Sequence, residues 1–170
     1  MGITIRRPTL EDCQGWAYVH YHSWLETYPG LMPDEFLAQR SIEKSFCSLN
    51  KALDKSFLAF DGKRVIGFVI YEKASSSYVS IKPSSEIQAL YVLKEYQHRK
   101  IGFDLLETAF SCLPEKKIAL FVLKGNETAI KFYQRIGFVF TGHVNYQEVA
   151  GGKLEELEMV ISRERRCSTL

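Results

Sequence analysis

Between Ile87 and Val122 the chain changes its hydrophobic period twice. Ile87–Leu93 is a strand-like apolar run. Phe103, Leu106, Phe110 and Leu113 then recur at three- and four-residue steps, and Ile118–Val122 is a short unbroken apolar run. The first and last read as strands, and the middle as a helix. A helix joining two such strands is a crossover, so the strands should be parallel and the connection right-handed. This commits the chain to a sheet with helices packed on it.

The flanking segments extend that sheet. Residues 3–6 read as a strand. Thr9, with Asp12 three positions on, reads as a helix N-cap, and Leu10, Cys13, Ala17, Tyr21 and Trp24 follow at helical spacing. Pro29-Gly30 ends that helix. Pro33 opens a second one, carried by Phe36, Leu37, Ile42, Phe46 and Leu49. Phe57–Phe60 and Val65–Tyr71 are strands joined by Asp61-Gly62-Lys63-Arg64, a hairpin signal. Residues 73–85 are serine-rich and contain Pro83, so a long mobile loop is expected. Thr128–Ile136 reads as a helix and Phe138–Thr141 as a strand, and Gly151-Gly152 turns a closing hairpin. The fold class is therefore α/β (an α+β mixed sheet), and 170 residues suit one domain, 1–170.

Composition narrows the function. Lys and Arg number 22 against 20 Asp and Glu, a net charge of +2. That gives no basic field of the kind used to hold nucleic acid by its phosphates. No apolar run approaches the roughly 20 residues of a membrane span, so no membrane partner is expected. The first residues contain no apolar signal core. Cys13, Cys47, Cys112 and Cys167 are scattered, which points away from a disulfide framework and toward a reduced, cytoplasmic protein. No metal is expected: His20 and His22 do not stack on one helix face and lack a third ligand. Cys167-Ser168-Thr169-Leu170 follows Arg163, Arg165 and Arg166. It has the length of a prenylation box, yet its middle residues are polar, so it reads as a solvated end.

Two stretches carry chemistry. In the first, the strand ending at Leu93 runs through Gln97, His98, Arg99 and Lys100 into a helix beginning Ile101-Gly102-Phe103. Free N–H groups and partial positive charge at a helix start suit a phosphate. Arg99 and Lys100 add full charge, and Gly102 removes a side chain where a ligand would crowd the backbone. In the second, Asn126 caps a helix, Phe132 and Tyr133 lie within it, and Gly137 ends it. Taken singly, these are ordinary features.

Together they resemble the GNAT superfamily of N-acetyltransferases. The carriers are Leu90-Tyr91-Val92, then Gln97-x-x-Lys100-x-Gly102, then Asn126-x-x-Ala129-x-x-Phe132-Tyr133-x-x-x-Gly137-Phe138. The single departure is Lys100, where the family usually has glycine. The likeness spans residues 1 to about 162, and His22–Gly30 is similar to small bacterial members of the PaiA-like kind. It implies a central twisted, mostly antiparallel sheet with one splayed parallel pair, and helices on both faces. It implies acetyl-CoA as cosubstrate, with its pyrophosphate on Gln97, His98, Arg99, Lys100, Ile101, Gly102 and Phe103. Its pantetheine arm would pair with the strand of Leu90, Tyr91 and Val92, and meet Asn126 and Ala129. The main-chain N–H at Val92 would hold the developing oxyanion, and Tyr133 would return a proton to the departing thiolate.

The same resemblance leaves the base open. Glu86, on the strand facing the donor site, is the leading candidate, with His22, His98 and His143 as others. Lys100 is expected at negative φ, where lysine costs nothing and its ammonium can pair with a phosphate. The acceptor cleft would take Trp24 and Tyr28 as binding residues, beside Met32 and Phe36, with Glu26, Asp34 and Glu35 as attractors of a cationic amine. The leading expectation is acetyl transfer to a small primary amine. The alternatives are a protein amine as acceptor, or a CoA-binding module without catalysis. The closing hairpin would be the surface of a homodimer.

Overall fold

The computed structural model describes residues 2–163, the side chains of 47–50 excepted. The cysteine at 47, the side chain of Leu49, Arg165, Arg166 and the Cys167 tail lie outside the described residues. Seven strands form one sheet in the order β1-β2-β3-β4-β5-β7-β6. They are β1 (Ile3–Arg6), β2 (Ser56–Asp61), β3 (Arg64–Glu72), β4 (Ser85–Val92), β5 (Lys117–Leu123), β6 (Val139–Val149) and β7 (Gly152–Ser162). All neighbours are antiparallel except β4 and β5, which are parallel as expected. The helices are α1 (Cys13–Thr27), α2 (Asp34–Leu37), α3 (Ile42–Leu49), α4 (Ile101–Phe110) and α5 (Glu127–Ile136).

Three expectations change. The second helix is two, α2 and α3. Arg40 N closes a turn on Leu37 O at 3.1 Å, and Ser41 caps the new helix by accepting from Lys44 N at 3.2 Å. Leu10 lies in a 3₁₀ turn before α1 and is 75% exposed, because the buried row of that helix is Cys13, Trp16, Ala17 and Val19. The serine-rich loop is pinned rather than loose. Glu86 accepts from Ser76 N (2.8 Å) and Ser76 Oγ (2.6 Å), and Glu158 accepts from Ser80 N (2.7 Å) and from the Ser80 hydroxyl.

The core has three parts. On one sheet face, α4 and α5 bury Ile101, Leu105, Leu106, Ile130 and Tyr133 against Ile66, Ile87 and Leu120. On the other face, α1 buries Trp16, Ala17 and Val19 against Leu58, Phe60 and Phe68. A smaller cluster at the end of the sheet joins Met32, Leu123 and Leu154, with Trp24, Tyr28 and Phe36 around it. It seats α2 and its preceding loop over the ends of β5 and β7.

One irregularity places the site. β3 pairs with β4 at Ile70–Ala89 and again at Tyr71–Ile87, which leaves Gln88 as an extra residue. Such a bulge bends a strand and reverses the faces of the residues beyond it. Ile87, Leu90 and Val92 consequently share the α4 face, and Tyr91 turns to the α1 face. β4 pairs with β5 only from Ser85 to Ile87, although β5 continues beside β7 to Leu123. Beyond Ile87 the two strands separate.

Candidate active site

The separation opens a cleft of about 1170 Å³ between β4 and β5, walled by the start of α4, the start of α5 and the α1–α2 segment. Leu93 N donates across to Ile66 O on β3 at 3.0 Å. Strand alternation then turns the Val92 N–H and C=O toward the gap. The Gln97 side chain donates to Val92 O at 3.0 Å, which fastens the following loop to the strand edge.

That loop has unusual backbone. His98 (φ 62°) and Lys100 (φ 64°) are both left-handed. The expectation of a negative φ at Lys100 is therefore corrected: lysine occupies the conformation that glycine tolerates best. The reason is geometric. Lys100 is the N-cap of α4, and the chain must reverse there to leave the N–H groups of Ile101, Gly102 and Phe103 pointing out of the helix into the cleft. Alternating left- and right-handed residues gather N–H groups into an anion-binding concavity. A Cβ at Gly102 would lie 3.2 Å from Phe132 Cζ, so this glycine serves the approach of α4 to α5. Its close neighbour is a side chain, where the sequence suggested a ligand.

Leu90, Tyr91, Val92, Gln97, His98, Lys100, Ile101, Gly102, Phe103, Asn126, Ala129 and Tyr133 all line this cleft, and so do Trp24 and Tyr28. Arg99 does not. Its guanidinium lies 5.2 Å from the centroid of the Tyr96 ring. Asn126 Oδ1 accepts from Ala129 N at 3.3 Å, a helix cap that leaves the amide nitrogen for the cleft.

Tyr133 is buried in α5 against Phe138. Burial, reinforced by the nearby Tyr28, holds its hydroxyl well above the ordinary phenol range, so it carries its proton at neutral pH. Glu86 is placed differently from expectation. It is 2% exposed, does not line the cleft, and spends its carboxylate on Ser76 and on Tyr78 Oη at 3.3 Å. It lies before the bulge, where β4 still touches β5. His22 and His143 are also outside the cleft walls. His22 packs 4.0 Å from the Tyr18 ring, and His143 Nε2 sits 3.1 Å from Tyr78 O.

The acceptor end is aromatic. Tyr28 and Tyr91 share a 2.9 Å hydroxyl–hydroxyl hydrogen bond, so the Tyr91 side chain belongs here even though its backbone lies on the strand edge. Trp24 packs 4.8 Å from Tyr28, and Met32 and Phe36 complete the wall. Glu26 reaches the rim and accepts from Lys94 N at 3.1 Å, while Asp34 and Glu35 are absent from the walls. Two charged residues that local spacing did not single out are present: Arg40, from the α2–α3 link, and Glu156, from β7. Glu156 accepts from Asn145 Nδ2 at 2.9 Å. Nothing in the local spacing of either residue points to a cleft. Both arrive through the third core cluster. No group of three or more metal-ligating side chains occurs among the described residues. No helix among them is long and apolar enough to cross a membrane.

Comparison with known proteins gives consistent likenesses. The sequence pattern of the acetyltransferase (GNAT) family matches residues 16–138. The chain is 31% identical over 150 residues to a spermidine N(1)-acetyltransferase of Thermoplasma acidophilum, covering 81% of this chain and 89% of that protein. It is 29% identical over 162 residues to YuaI, an uncharacterised N-acetyltransferase of Bacillus subtilis, covering 91% and 90%. Among solved structures, the PaiA N-acetyltransferase of Thermoplasma acidophilum in complex with coenzyme A superposes with a TM-score of 0.70 at 25% identity, covering 95% and 99%. YncA of Salmonella typhimurium, with its cofactor acetyl-CoA, shares the fold at a TM-score of 0.70 and 15% identity, covering 99% and 98%.

Proposed function

We propose, since this chain belongs to the acetyltransferase (GNAT) family, that it moves an acetyl group from acetyl-CoA to the primary amine of a small molecule. One observation carries the reading: beyond Ile87 the edge of β4 is unpaired and faces a cleft that also holds Asn126 and Tyr133. An extended amide-bearing arm fits such an edge as an added strand. The N–H groups at the start of α4, with the Lys100 ammonium beside them, suit a pyrophosphate. When bound, acetyl-CoA supplies a thioester carbonyl open to direct attack by the amine.

The residues present would then divide the work. Val92 N–H is the donor available to an oxyanion at the strand edge. The ammonium loses one proton to solvent before attack; as the C–N bond forms and the C–S bond breaks, Tyr133, protonated by its burial, gives its proton to the departing sulfur and regains one from the amide-forming nitrogen. Asn126 holds the arm through its free amide nitrogen. Trp24 and Tyr28 flank the amine's aliphatic body, and Glu156 is the carboxylate at that end toward which an ammonium is drawn. Glu86 has no such access, and we assign it to fastening the 73–85 loop. A reducing cytoplasm suits Cys13 and Cys112, which are not joined to each other.

The test is release of free CoA from acetyl-CoA in the presence of a panel of primary amines. Spermidine heads the panel, because a relative is named for it. Amine-dependent release with an N-acetyl product is expected. Tight acetyl-CoA binding with no product from any amine would overturn the reading.

A further inference from the structure

Arg40 is a charged group that the reaction above does not use. It lines the acceptor end of the cleft. Its guanidinium lies 3.5 Å from the centroid of the Trp24 ring and 5.5 Å from that of Phe36. This cation–π contact holds the guanidinium against the aromatic wall, and its N–H groups remain to be used. Among the described residues no carboxylate pairs with it and no acceptor atom takes its hydrogen bonds. Glu156, at the same end of the cleft, pairs with Asn145 instead. The other titratable groups facing Arg40 are the hydroxyls of Tyr28 and Tyr91 and the ring of His20. Burial and the arginine's own charge hold His20 down to about 4, so all three are neutral at pH 7.

A half-buried cation without a protein counter-ion is poorly solvated. It repels a polycation and suits a planar anion that accepts two parallel hydrogen bonds. We infer that the preferred acceptor carries a carboxylate beside its primary amine, an amino-acid-like small molecule, and that Arg40 binds that carboxylate. This rests on the acetyltransferase reading. Glu156 and Arg40 then give the pocket groups of both signs, matching a zwitterion rather than a polyamine.

The experiment measures kcat/KM for a panel of α- and ω-amino acids, each beside its carboxamide, with spermidine included. The amide's amine is the less basic, so preference for the acid runs against intrinsic reactivity. For the best acid, wild type should exceed its amide by about 10-fold or more, the size expected of a charge-assisted hydrogen-bonded pair. Arg40→Gln should bring that ratio toward one, with the loss appearing as a raised KM for the acid. Arg40→Lys should keep part of the preference. Equal use of acid and amide by wild type, or a ratio that survives Arg40→Gln, would overturn the carboxylate site. Transfer to spermidine but to no amino acid would overturn it too, while leaving the acetyltransferase reading standing. Transfer to no amine, with acetyl-CoA bound, would overturn both.

Discussion

At Tyr133, burial does two things: it places the hydroxyl on the cleft wall and keeps it protonated. Tyr133→Phe removes one oxygen from a packed site. We expect kcat to fall by about 100-fold, with acetyl-CoA affinity nearly unchanged in a calorimetric titration. Unaltered kcat would remove the tyrosine from the mechanism. The raised proton affinity has a sign that pH can read. An ordinary phenol begins to ionise as pH nears about 10, whereas Tyr133 is still protonated there, so it should contribute no loss of kcat on the basic side up to that pH. Lys100 is the opposite case, a side chain in backbone suited to glycine. Left-handed backbone costs a non-glycine residue about 1–2 kcal/mol, and glycine gives back about 0.5–1 kcal/mol in chain entropy. Lys100→Gly should therefore raise the melting temperature by about 1–3 °C. It should also weaken acetyl-CoA binding a few-fold through loss of the ammonium. A lower melting temperature would show that the lysine side chain holds the loop by a contact worth more than the strain.

Among the elements, the closing hairpin and the serine-rich loop depend on one carboxylate. Glu158 is fully buried on β7. It takes hydrogen bonds from Ser80 N, from the Ser80 hydroxyl and from Thr141 Oγ1 at 2.5 Å. Thr141 lies in the stretch of β6 where the register with β7 shifts. Burial pushes the acid up, but the hydrogen bonds outweigh it, and the carboxyl sits below its ordinary value. A lowered folded pKa means stability that is present above the unfolded pKa of about 4.3. It is lost as pH falls through the still lower folded value. Glu158→Gln puts an amide donor among donors and should cost about 1–3 kcal/mol at pH 7. The gap from wild type should narrow below about pH 4. Equal denaturation midpoints of the two proteins at pH 7 would show that the loop is not held there.

On the scale of the molecule, the acceptor lobe rests on the tip of the β6–β7 hairpin. Gly151 has φ 78°, and a Cβ there would meet Pro33 Cβ and Glu35 Cβ, both at 3.2 Å. Gly151→Ala therefore strains the turn and pushes the α2 segment, which carries Phe36 and leads to Arg40, away from the cleft. We expect the KM for the amine to rise several-fold while that for acetyl-CoA stays within about twofold, since α4 and β4 are untouched. A parallel rise in both would mean that the lobe and the cosubstrate groove move as one.

That division marks how far the chain can be read without its folded partners. The parallel pair, the helix start after Gln97 and the Asn126 cap were legible, because each rests on neighbours within a few turns of chain, where period and spacing report conformation; Tyr133 stood out only through the family resemblance. The left-handed Lys100, the diversion of Glu86 and the turn of Tyr91 to the acceptor side were not. A bulge at Gln88 exists only against β3, and the faces it reverses are fixed by a register between strands far apart in sequence. Arg40 and Glu156 come from still more distant segments. They meet the cleft because Met32, Leu123 and Leu154 pack together, an apolar contact that no local pattern encodes.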